Sequence, residues 1–579
     1  MTEAEARADA LALVGRRRGI RRITIGFGLA LGLGGIALSP TALLHTLLPD
    51  GRDSSSTLAL GARLFTYMLM VLGAYIAAAA WWLPPRVASA ERGRRSEGPF
   101  VAVILVGTIG LAAALRVYSL DTGLWYDEIL MHVQESSKSY GEIFTTYDSK
   151  NQHFLYTLLA RLAMDCFGDT AWALRLPAAL FGVLGVAALY AFAREVADAS
   201  EALLATALLA FSYHHVWFSQ NARGYSGVLF WALLSSALLL RALDDGRQRW
   251  WALYAVTVAL GVYTHMTMVF VMAGHALVYL STMWTRRAQP WPARWDGVLL
   301  GFPLAGLLIL QLHAIVLPQV LTGVANESSV VTTWRNPAWA MIEIFQGLQI
   351  GFSGRVVGLV ALAVCTVGLV SFVRTAPTVA TLLIVPVVLC ATIVIGSGHH
   401  VWPRFFFFAS GFAVLIVVRG AMVVGRWIGT GLGLAPARAV RAATVASLLL
   451  VAGAAVALPR AYAPKQDFEG ALKFVEASRA SGDSVVTVGL ATMPYQRFYK
   501  ANWGSVESVE SLEEVRSRAP RTWLVYTLPL HLDAVYPDLM VRIRNEFQVV
   551  RIFPGTLSGG AVIVCRSEGI PRNARAGGV

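Results

Sequence analysis

The chain has 579 residues, of which 56% are hydrophobic and only 14% are charged, and its mean hydropathy is +0.58. This composition excludes a string of soluble domains and predicts a polytopic α-helical membrane protein. The 48 lysines and arginines exceed the 35 acidic residues by a formal +13, but they are divided among short loops, so we attribute them to membrane topology and expect no nucleic-acid partner.

The N-terminus carries arginines at positions 16–18 and 21–22, directly before an apolar run. The positive-inside rule therefore puts this end in the cytoplasm. We predict a first helix over 23–48, retained because the apolar run is long and no convincing cleavage site follows it. A second helix over 60–83 leads to another basic loop, and a third helix over 100–118 then runs outward.

Two adjacent carboxylates, Asp127 and Glu128, follow the third helix in the stretch Leu-Trp-Tyr-Asp-Glu-Ile at 124–129. The topology delivers them to the extracytoplasmic face. Charged side chains beside a strongly apolar segment are costly, which makes a functional site the first hypothesis for this pair. The alternative is an acidic loop that is simply solvated at the membrane face.

The region after this stretch contains an amphipathic piece over 154–167, which we expect to lie in the interface plane rather than to span the membrane. Further spans are predicted at 174–193, 202–218, 224–243, 251–264, 266–284, 297–316, 356–373, 379–396, 405–424 and 440–458. The total is about thirteen spans of roughly 20 residues each. An odd number of spans puts the C-terminus outside.

The character of the chain changes at Pro459. A helical pattern over 468–480 alternates with apolar runs at 484–488, 522–526, 547–553 and 561–565, which predicts a small extracytoplasmic α/β domain. The predicted organisation is an added helix pair in 1–99, a transmembrane catalytic domain over 100–458, the α/β domain over 459–566 and a disordered tail over 567–579.

Polar motifs converge on the outer face under this topology. They are Asp127 with Glu128, the stretch 219–225, the stretch 263–265, the stretch 399–404 and the long loop 317–354. Carboxylates, imidazoles and guanidinium groups therefore meet on one side of the membrane. Random scatter would have divided them between the two faces, so their convergence indicates an active site.

These groups suit the transfer of a sugar from a lipid phosphate. A carboxylate such as Asp127 can take the proton of an attacking hydroxyl, and Arg404 or Arg223 can stabilise a departing phosphate. Two alternatives stay open, a ligase or polymerase that uses a diphosphate-linked donor, and a lipid or polysaccharide transporter. A transporter predicts ionisable residues near span centres, whereas here they cluster at the outer ends.

The chain resembles the GT-C superfamily of glycosyltransferases that use polyprenyl-phosphate sugars, in particular bacterial proteins similar to protein O-mannosyltransferases and to the lipid A aminoarabinose and galacturonic acid transferases. The resemblance covers most of 100–458 and is carried by residues 125–128 (WYDE), 172–178 (WALRLPA), 218–225 (FSQNARGY), 263–265 (YTH) and 402–405 (WPRF). It implies Asp127 as the catalytic aspartate and Arg404 as a contact of the donor phosphate.

The resemblance also implies a location in a bacterial cytoplasmic membrane, a polyprenyl-phosphate donor and an extracytoplasmic acceptor. Two departures from the family pattern matter. Asn221 stands where many relatives carry an acidic residue before Ala-Arg, so Glu128 or Asp148 would have to take any second carboxylate role. The acidic pair follows the third helix instead of the first, from which we infer that the first two helices are an addition.

Further candidates surround the expected site. Lys150 and His400 are candidates for contact with the donor phosphate, and the residues expected to line the site are His153, Gln220, Tyr225, His265 and His399. Each histidine has a plain alternative as a residue that only hydrogen-bonds the backbone. A divalent cation, Mg or Mn, is possible, with Glu128 and His153 as weak ligand candidates. No other cofactor is indicated.

Overall fold

The computed structural model describes residues 3–49, 55–82, 97–147, 152–245, 247–285, 295–326, 331, 334, 336–351 and 355–568. The candidate Lys150, with Asp148, lies outside the described residues, and so does the end of the chain from residue 569 onward.

The first predicted span, over 23–48, ends earlier than expected. Helix α1 ends at Ala37, and a separate helix α2 begins at Pro40, which occupies the first helical position, where its missing N–H costs nothing. The N-terminal helices are α1 (Glu3–Ala37), α2 (Pro40–Leu47), α3 (Ser56–Trp82) and α4 (Pro99–Val117). Helices α1 and α3 are closely packed, because they meet at Gly28 and Gly73, where any Cβ would collide with the facing backbone.

The connection after α4 contains three short helices, namely α5 (Tyr126–Met131), α6 (Tyr140–Thr145) and α7 (Phe154–Phe167). A π-helical turn over His132–Ser136 continues α5. The helix predicted over 154–167 is therefore present with the expected bounds.

The rest of the membrane part is helical. Its helices are α8 (Ala171–Val196), α9 (Ala199–Ala210), α10 (Tyr213–Ser219), α11 (Tyr225–Asp245), α12 (Gln248–Thr264), α13 (Met268–Thr285), α14 (Phe302–His313), α15 (Leu317–Asn326), α16 (Pro337–Gly351), α17 (Arg355–Thr375), α18 (Pro377–Gly396), α19 (Ser410–Gly431) and α20 (Pro436–Ala457).

Two predictions need correction here. The predicted continuous helix over 202–218 is broken, because the Ser212 hydroxyl accepts a hydrogen bond from the His215 N–H and caps a new helix, α10. The region 317–354, predicted as a long loop, contains α15 and α16.

Within the described residues, ten helices are long and apolar enough to cross a membrane, namely α1, α3, α4, α8, α11, α13, α17, α18, α19 and α20, the last two together with adjoining 3₁₀ turns. Two shorter apolar helices, Ala199–Ala210 and Gly297–His313, and helix α12 coincide with the other predicted spans. The chain is a multi-pass membrane protein, and the count of about thirteen spans stays a prediction.

The C-terminal part forms the predicted α/β domain. A five-stranded sheet has the order β2-β1-β3-β5-β4, with β1 parallel to β2 and β3, and β5 antiparallel to β3 and β4. The strands are β1 (Ser484–Val488), β2 (Gly504–Val506), β3 (Arg521–Thr527), β4 (Gln548–Phe553) and β5 (Val562–Glu568). The helices are α21 (Phe468–Ser478), α22 (Val509–Arg518), α23 (Pro529–Val535) and α24 (Pro537–Glu546).

Four of the five strands were predicted within a few residues, whereas β2, three residues long, was missed. The boundary predicted at 566 is too early, because Ser567 and Glu568 still pair with Thr522 and Arg521 of β3.

The α/β domain packs directly on the connection between α4 and α8. One buried apolar cluster joins Leu124 and Ile129, on either side of the acidic pair, to Phe468 and Tyr495 of the domain. The acidic stretch is therefore enclosed between the membrane helices and the domain.

Candidate active site

Asp127 and Arg404, two of the predicted site residues, form an ion pair. The Arg404 guanidinium donates from Nη1 to Oδ2 of Asp127 at 2.9 Å, across 277 positions of sequence. Asp127 lies in the first turn of α5, and Arg404 lies in a 3₁₀ turn over Pro403–Ala409 that leads into α19. Their side chains are 10% and 17% exposed, so both can still be reached from outside.

Arg223 lies in the sharp connection between α10 and α11 and is almost fully buried, with 2% exposure. Among the described residues, its Nε and Nη2 atoms have no hydrogen-bond partner, and neither has the Nε atom of Arg404. Buried guanidinium donors without partners are costly. The two arginines therefore present unused N–H groups that suit an anion.

The backbone brings Arg223 close to a pair of histidines. Gly224 leaves no room for a Cβ between the His153 ring and the Thr264 carbonyl, so only glycine permits this approach. The His153 and His265 ring centroids are 4.7 Å apart, and the Tyr225 ring lies 5.4 Å from His153 and 5.2 Å from His265. Tyr225 also contacts the Arg404 guanidinium.

Both histidines are held as neutral rings. Nδ1–H of His153 donates to the Thr264 carbonyl at 3.2 Å, whereas Nδ1 of His265 accepts from the Thr267 N–H, which leaves the Nε2 atom of neutral His265 as a donor. Burial and the charge of Arg223 lower the pKa of His153 well below its ordinary value and that of His265 to about 3. Arg404 lowers both further, so both arginine charges act on this pair.

The lowered pKa of His265 leads to a prediction about the stability of the fold at low pH. The unfolded chain binds a proton at this ring near pH 6.5, but the folded protein does so only near pH 3. The free energy of unfolding is therefore unaffected by this ring above pH 6.5 and falls as the pH drops from 6.5 towards 3. We expect His265→Gln to lose less thermal stability than wild type between pH 7.5 and pH 4.5, measured in detergent. His45→Gln, which changes an exposed ring on α2, is the control and should behave as wild type. Equal acid losses in His265→Gln and wild type would contradict the prediction.

Glu128, the other predicted catalytic carboxylate, is fully buried and fully engaged. Its two oxygens accept from Nε and Nη2 of Arg175 at 2.7 and 2.6 Å, and one of them also accepts from the Ala222 N–H at 2.7 Å. Burial would raise the pKa of Glu128, but Arg175 and Lys465 reverse this and hold the pKa below its ordinary value. This geometry fits a residue that fixes the loops and does not fit one that reaches a substrate.

Arg175 extends the same network. Its Nη atoms donate to the carbonyl oxygens of Leu120, Thr122 and Gly123 at 2.8–3.0 Å. Helix α8 thereby holds the segment that precedes Asp127.

The remaining predicted residues lie at the edge of this arrangement. Gln220 is turned to the end of α4, where its Nε2 donates to the Tyr118 carbonyl at 2.6 Å. His400 packs on Trp334 and Trp402 with ring centroids 5.1 and 5.7 Å apart, and His399 contacts Ser397. These contacts join His399 and His400 to Ser397, Trp334 and Trp402.

The weak metal candidates are not brought together. In the part of the chain that the structure describes, no three His, Cys, Asp or Glu side chains form a group that could hold a metal ion. The oxygens of Glu128 are occupied by Arg175 and Ala222, and Nδ1 of His153 is occupied by Thr264.

Sequence reasoning missed three residues that organise the site. Arg175 had a signal, a charged residue inside an otherwise apolar helix, and it stood in one of the quoted motifs. Lys465 and Gln466 had none, because they follow the last predicted span and meet the site only through folding.

Residues 151–310 match the sequence profile of the family described as dolichyl-phosphate-mannose-protein mannosyltransferase. The matched segment holds His153, Arg175, Arg223, Tyr225 and His265, which are the cationic and aromatic side of the site. Over these residues the chain is similar to a family of glycosyltransferases. The resemblance read from the sequence motifs is thereby confirmed.

Three solved structures are similar to this chain. ArnT from Cupriavidus metallidurans bound to undecaprenyl phosphate is 14% identical, with a TM-score of 0.45 over 80% of this chain and 97% of that one. AglB, an oligosaccharyltransferase from Archaeoglobus fulgidus, is 12% identical, with a TM-score of 0.45 over 82% and 75%. Arabinosyltransferase EmbB from Mycobacterium smegmatis is 12% identical, with a TM-score of 0.42 over 76% and 47%. A search of curated proteins finds no match.

Proposed function

We propose that this chain is a GT-C glycosyltransferase, which transfers a sugar from a polyprenyl-phosphate donor to an acceptor hydroxyl at the outer face of a bacterial cytoplasmic membrane, with inversion at the anomeric carbon. The observation that carries the proposal is the Asp127–Arg404 ion pair beside the buried, unpartnered donors of Arg223. The matched family, named for a lipid-phosphate mannose donor, supports the same class of substrate.

The reaction we propose is a direct displacement. Asp127 takes the proton of the acceptor hydroxyl while the acceptor oxygen forms a bond to the anomeric carbon from the side opposite the phosphate. The bond between the anomeric carbon and the phosphate oxygen breaks, and the polyprenyl phosphate leaves with its electron pair. One inversion follows from one displacement.

Two arginines bind the leaving phosphate. Arg404 and Arg223 stabilise the charge that grows on the phosphate, since guanidinium groups fork onto phosphate oxygens. The donor phosphate would compete with Asp127 for Arg404, which frees the carboxylate to act as a base only when the donor is bound. Nε2 of neutral His265 adds a hydrogen-bond donor on this side.

The apolar surroundings suit a lipid tail. Phe405 and Phe406 follow Arg404 directly in the 3₁₀ turn, and Phe405 packs near His265 with ring centroids 6.3 Å apart. A phosphate at the arginines would therefore have its polyprenyl chain beside aromatic side chains at the membrane boundary.

The test uses the purified protein in nanodiscs with radiolabelled sugar on undecaprenyl or decaprenyl monophosphate and a cell-envelope preparation as acceptor. Transfer of label to the acceptor from the monophosphate donor is the expected result. Transfer only from a diphosphate-linked donor would replace the proposal with a ligase or polymerase, and no transfer from either donor would overturn it.

Arg223 gives a prediction for donor binding. We expect Arg223→Met to weaken donor affinity about 10-fold to 100-fold, because a hydrogen bond to a charged group contributes about 1.5–3 kcal/mol. The measurement is the Kd of undecaprenyl phosphate in nanodiscs. Arg161→Met, which removes a partly exposed arginine on α7, is the matched control and should leave the Kd unchanged. An unchanged Kd in Arg223→Met would exclude Arg223 from the phosphate site.

A further inference from the structure

The start of the α/β domain reaches into the candidate site at Gln466, which is 2% exposed. Its Oε1 accepts from the backbone N–H of Tyr126 at 3.1 Å, and its Nε2 donates to Oγ1 of Thr527 at 3.0 Å. Tyr126 immediately precedes Asp127, and Thr527 ends strand β3. One side chain therefore joins the sheet of the domain to the first turn of α5.

Lys465, the preceding residue, makes a second contact, with the connection between α10 and α11. Its Nζ donates to the Gln220 carbonyl at 2.8 Å and lies 5.0 Å from the Trp217 ring centroid. Burial lowers the pKa of Lys465 to about 7, although the Glu128 carboxylate acts in the opposite sense. A buried ammonium is costly, and its contact fixes the connection that carries Arg223.

The backbone of this segment is itself clamped. The Pro464 carbonyl accepts from the Thr556 N–H at 2.9 Å, and the Lys465 carbonyl accepts from the Leu557 N–H at 3.2 Å. The Thr556 hydroxyl in turn accepts from Nε1 of Trp217 on α10 at 2.9 Å. The segment thus has a defined position relative to both the domain and the membrane helices.

We infer that the α/β domain is a built-in part of the active site, in which Gln466 and Lys465 are positioning residues for the backbones that carry Asp127 and Arg223. This inference rests on the proposed function for the roles of Asp127 and Arg223. The positioning itself rests on the hydrogen bonds of the two side chains.

The shortness of α5 makes this support necessary. A helix of six residues, continued by a π-helical turn of five, is too short to be stable by its own hydrogen bonds. The Trp125 N–H is bound by the Glu128 carboxylate at 3.3 Å, and the next N–H, that of Tyr126, is bound by Gln466. Loss of the second bond frees the turn that aims the Asp127 carboxylate.

The kinetic test compares Gln466→Leu, Gln466→Glu and Thr527→Val in full-length protein in nanodiscs. We expect Gln466→Leu to lower kcat about 10-fold to 100-fold, the effect of a small misplacement of a catalytic group, with no change in the donor KM. Gln466→Glu keeps an acceptor for the Tyr126 N–H and should restore most of kcat. Thr527→Val removes only the anchor of Gln466 and should give an intermediate loss.

A matched control is Lys473→Met, on the exposed side of α21, which should leave kcat at the wild-type value. Lys465→Met should lower kcat/KM for the donor, because Lys465 holds the connection that carries Arg223. If Gln466→Leu does not fold, the comparison of kcat between Gln466→Glu and Thr527→Val still tests the inference. Wild-type kcat in both Gln466→Leu and Thr527→Val would overturn the inference.

Hydrogen exchange separates this inference from the proposed function. Gln466→Leu should speed amide exchange in the peptide that covers α5, and Lys473→Met should not. Faster exchange in α5, with no turnover by wild type on any lipid-linked donor, would sink the proposed function and leave the positioning intact. Unchanged exchange in α5 with normal turnover would sink the positioning alone.

Discussion

Asp127→Asn is expected to lower the rate of sugar transfer about 10³-fold, within the range that a general base contributes to catalysis. Asparagine keeps the shape of the side chain and an oxygen that can accept from Arg404, so the fold and the ion-pair geometry change little. It cannot take the proton of the acceptor hydroxyl. The measurement is single-turnover release of labelled sugar from undecaprenyl phosphate by folded protein.

Binding distinguishes a lost base from a damaged site. The Kd of undecaprenyl phosphate should stay at the wild-type value or tighten, because Arg404 no longer faces a charged competitor. Asp165→Asn, a change to a carboxylate on α7 that pairs with Arg161, is the control and should keep full activity. Full activity in Asp127→Asn would remove Asp127 from the mechanism, and the enclosure of Glu128 by Arg175 would leave that neighbour an unsuitable replacement.

Much of the membrane part could be predicted, because helix positions follow from apolar length alone. The motifs with Asp127 and Arg404 were also recognisable one by one. The alternation of spans predicted only that the two motifs lie at the same face of the membrane. The 2.9 Å pairing of these two residues across 277 positions depends on how the helices pack, which no local pattern encodes.

The errors have local physical causes. Ser39–Pro40 and Ser212 interrupt apolar runs that look continuous by hydropathy, because a helix start needs only one proline or one hydroxyl cap. Strand β2 was missed because three residues carry too little periodicity to read. Gln466 could not be found at all, since a glutamine after a membrane span has no signal until its partner, the Tyr126 N–H, is known.

The different fates of Asp127 and Glu128 show the same limit. The two carboxylates are adjacent in sequence and were predicted together as catalytic. Successive residues at the start of a helix point in different directions, so Asp127 faces Arg404 at the accessible side and Glu128 faces Arg175 in the interior. Asp127 therefore suits proton transfer and Glu128 suits support of the loops, and only the structure distinguishes these two roles.

The buried pair of Glu128 and Arg175 makes the largest prediction for stability. Arg175→Met should lower the free energy of unfolding by about 3–5 kcal/mol, because it leaves the Glu128 carboxylate buried without its ion-pair partner. Four further hydrogen bonds of Arg175, to the carbonyl oxygens of Leu120, Thr122 and Gly123 and to the Thr122 hydroxyl, are lost in addition. The measurement is thermal and denaturant-induced unfolding in detergent.

A double-mutant cycle with Glu128→Gln shows whether the loss comes from the pair. The double variant removes both charges of the pair, so it should be more stable than Arg175→Met alone, with a coupling free energy well outside additivity. Arg161→Met, which breaks an ion pair on the surface of α7, should change stability little, because solvent screens that pair. Additive effects of Glu128→Gln and Arg175→Met would mean that the two side chains act independently, and the assignment of Glu128 to support of the Asp127 helix would then fall.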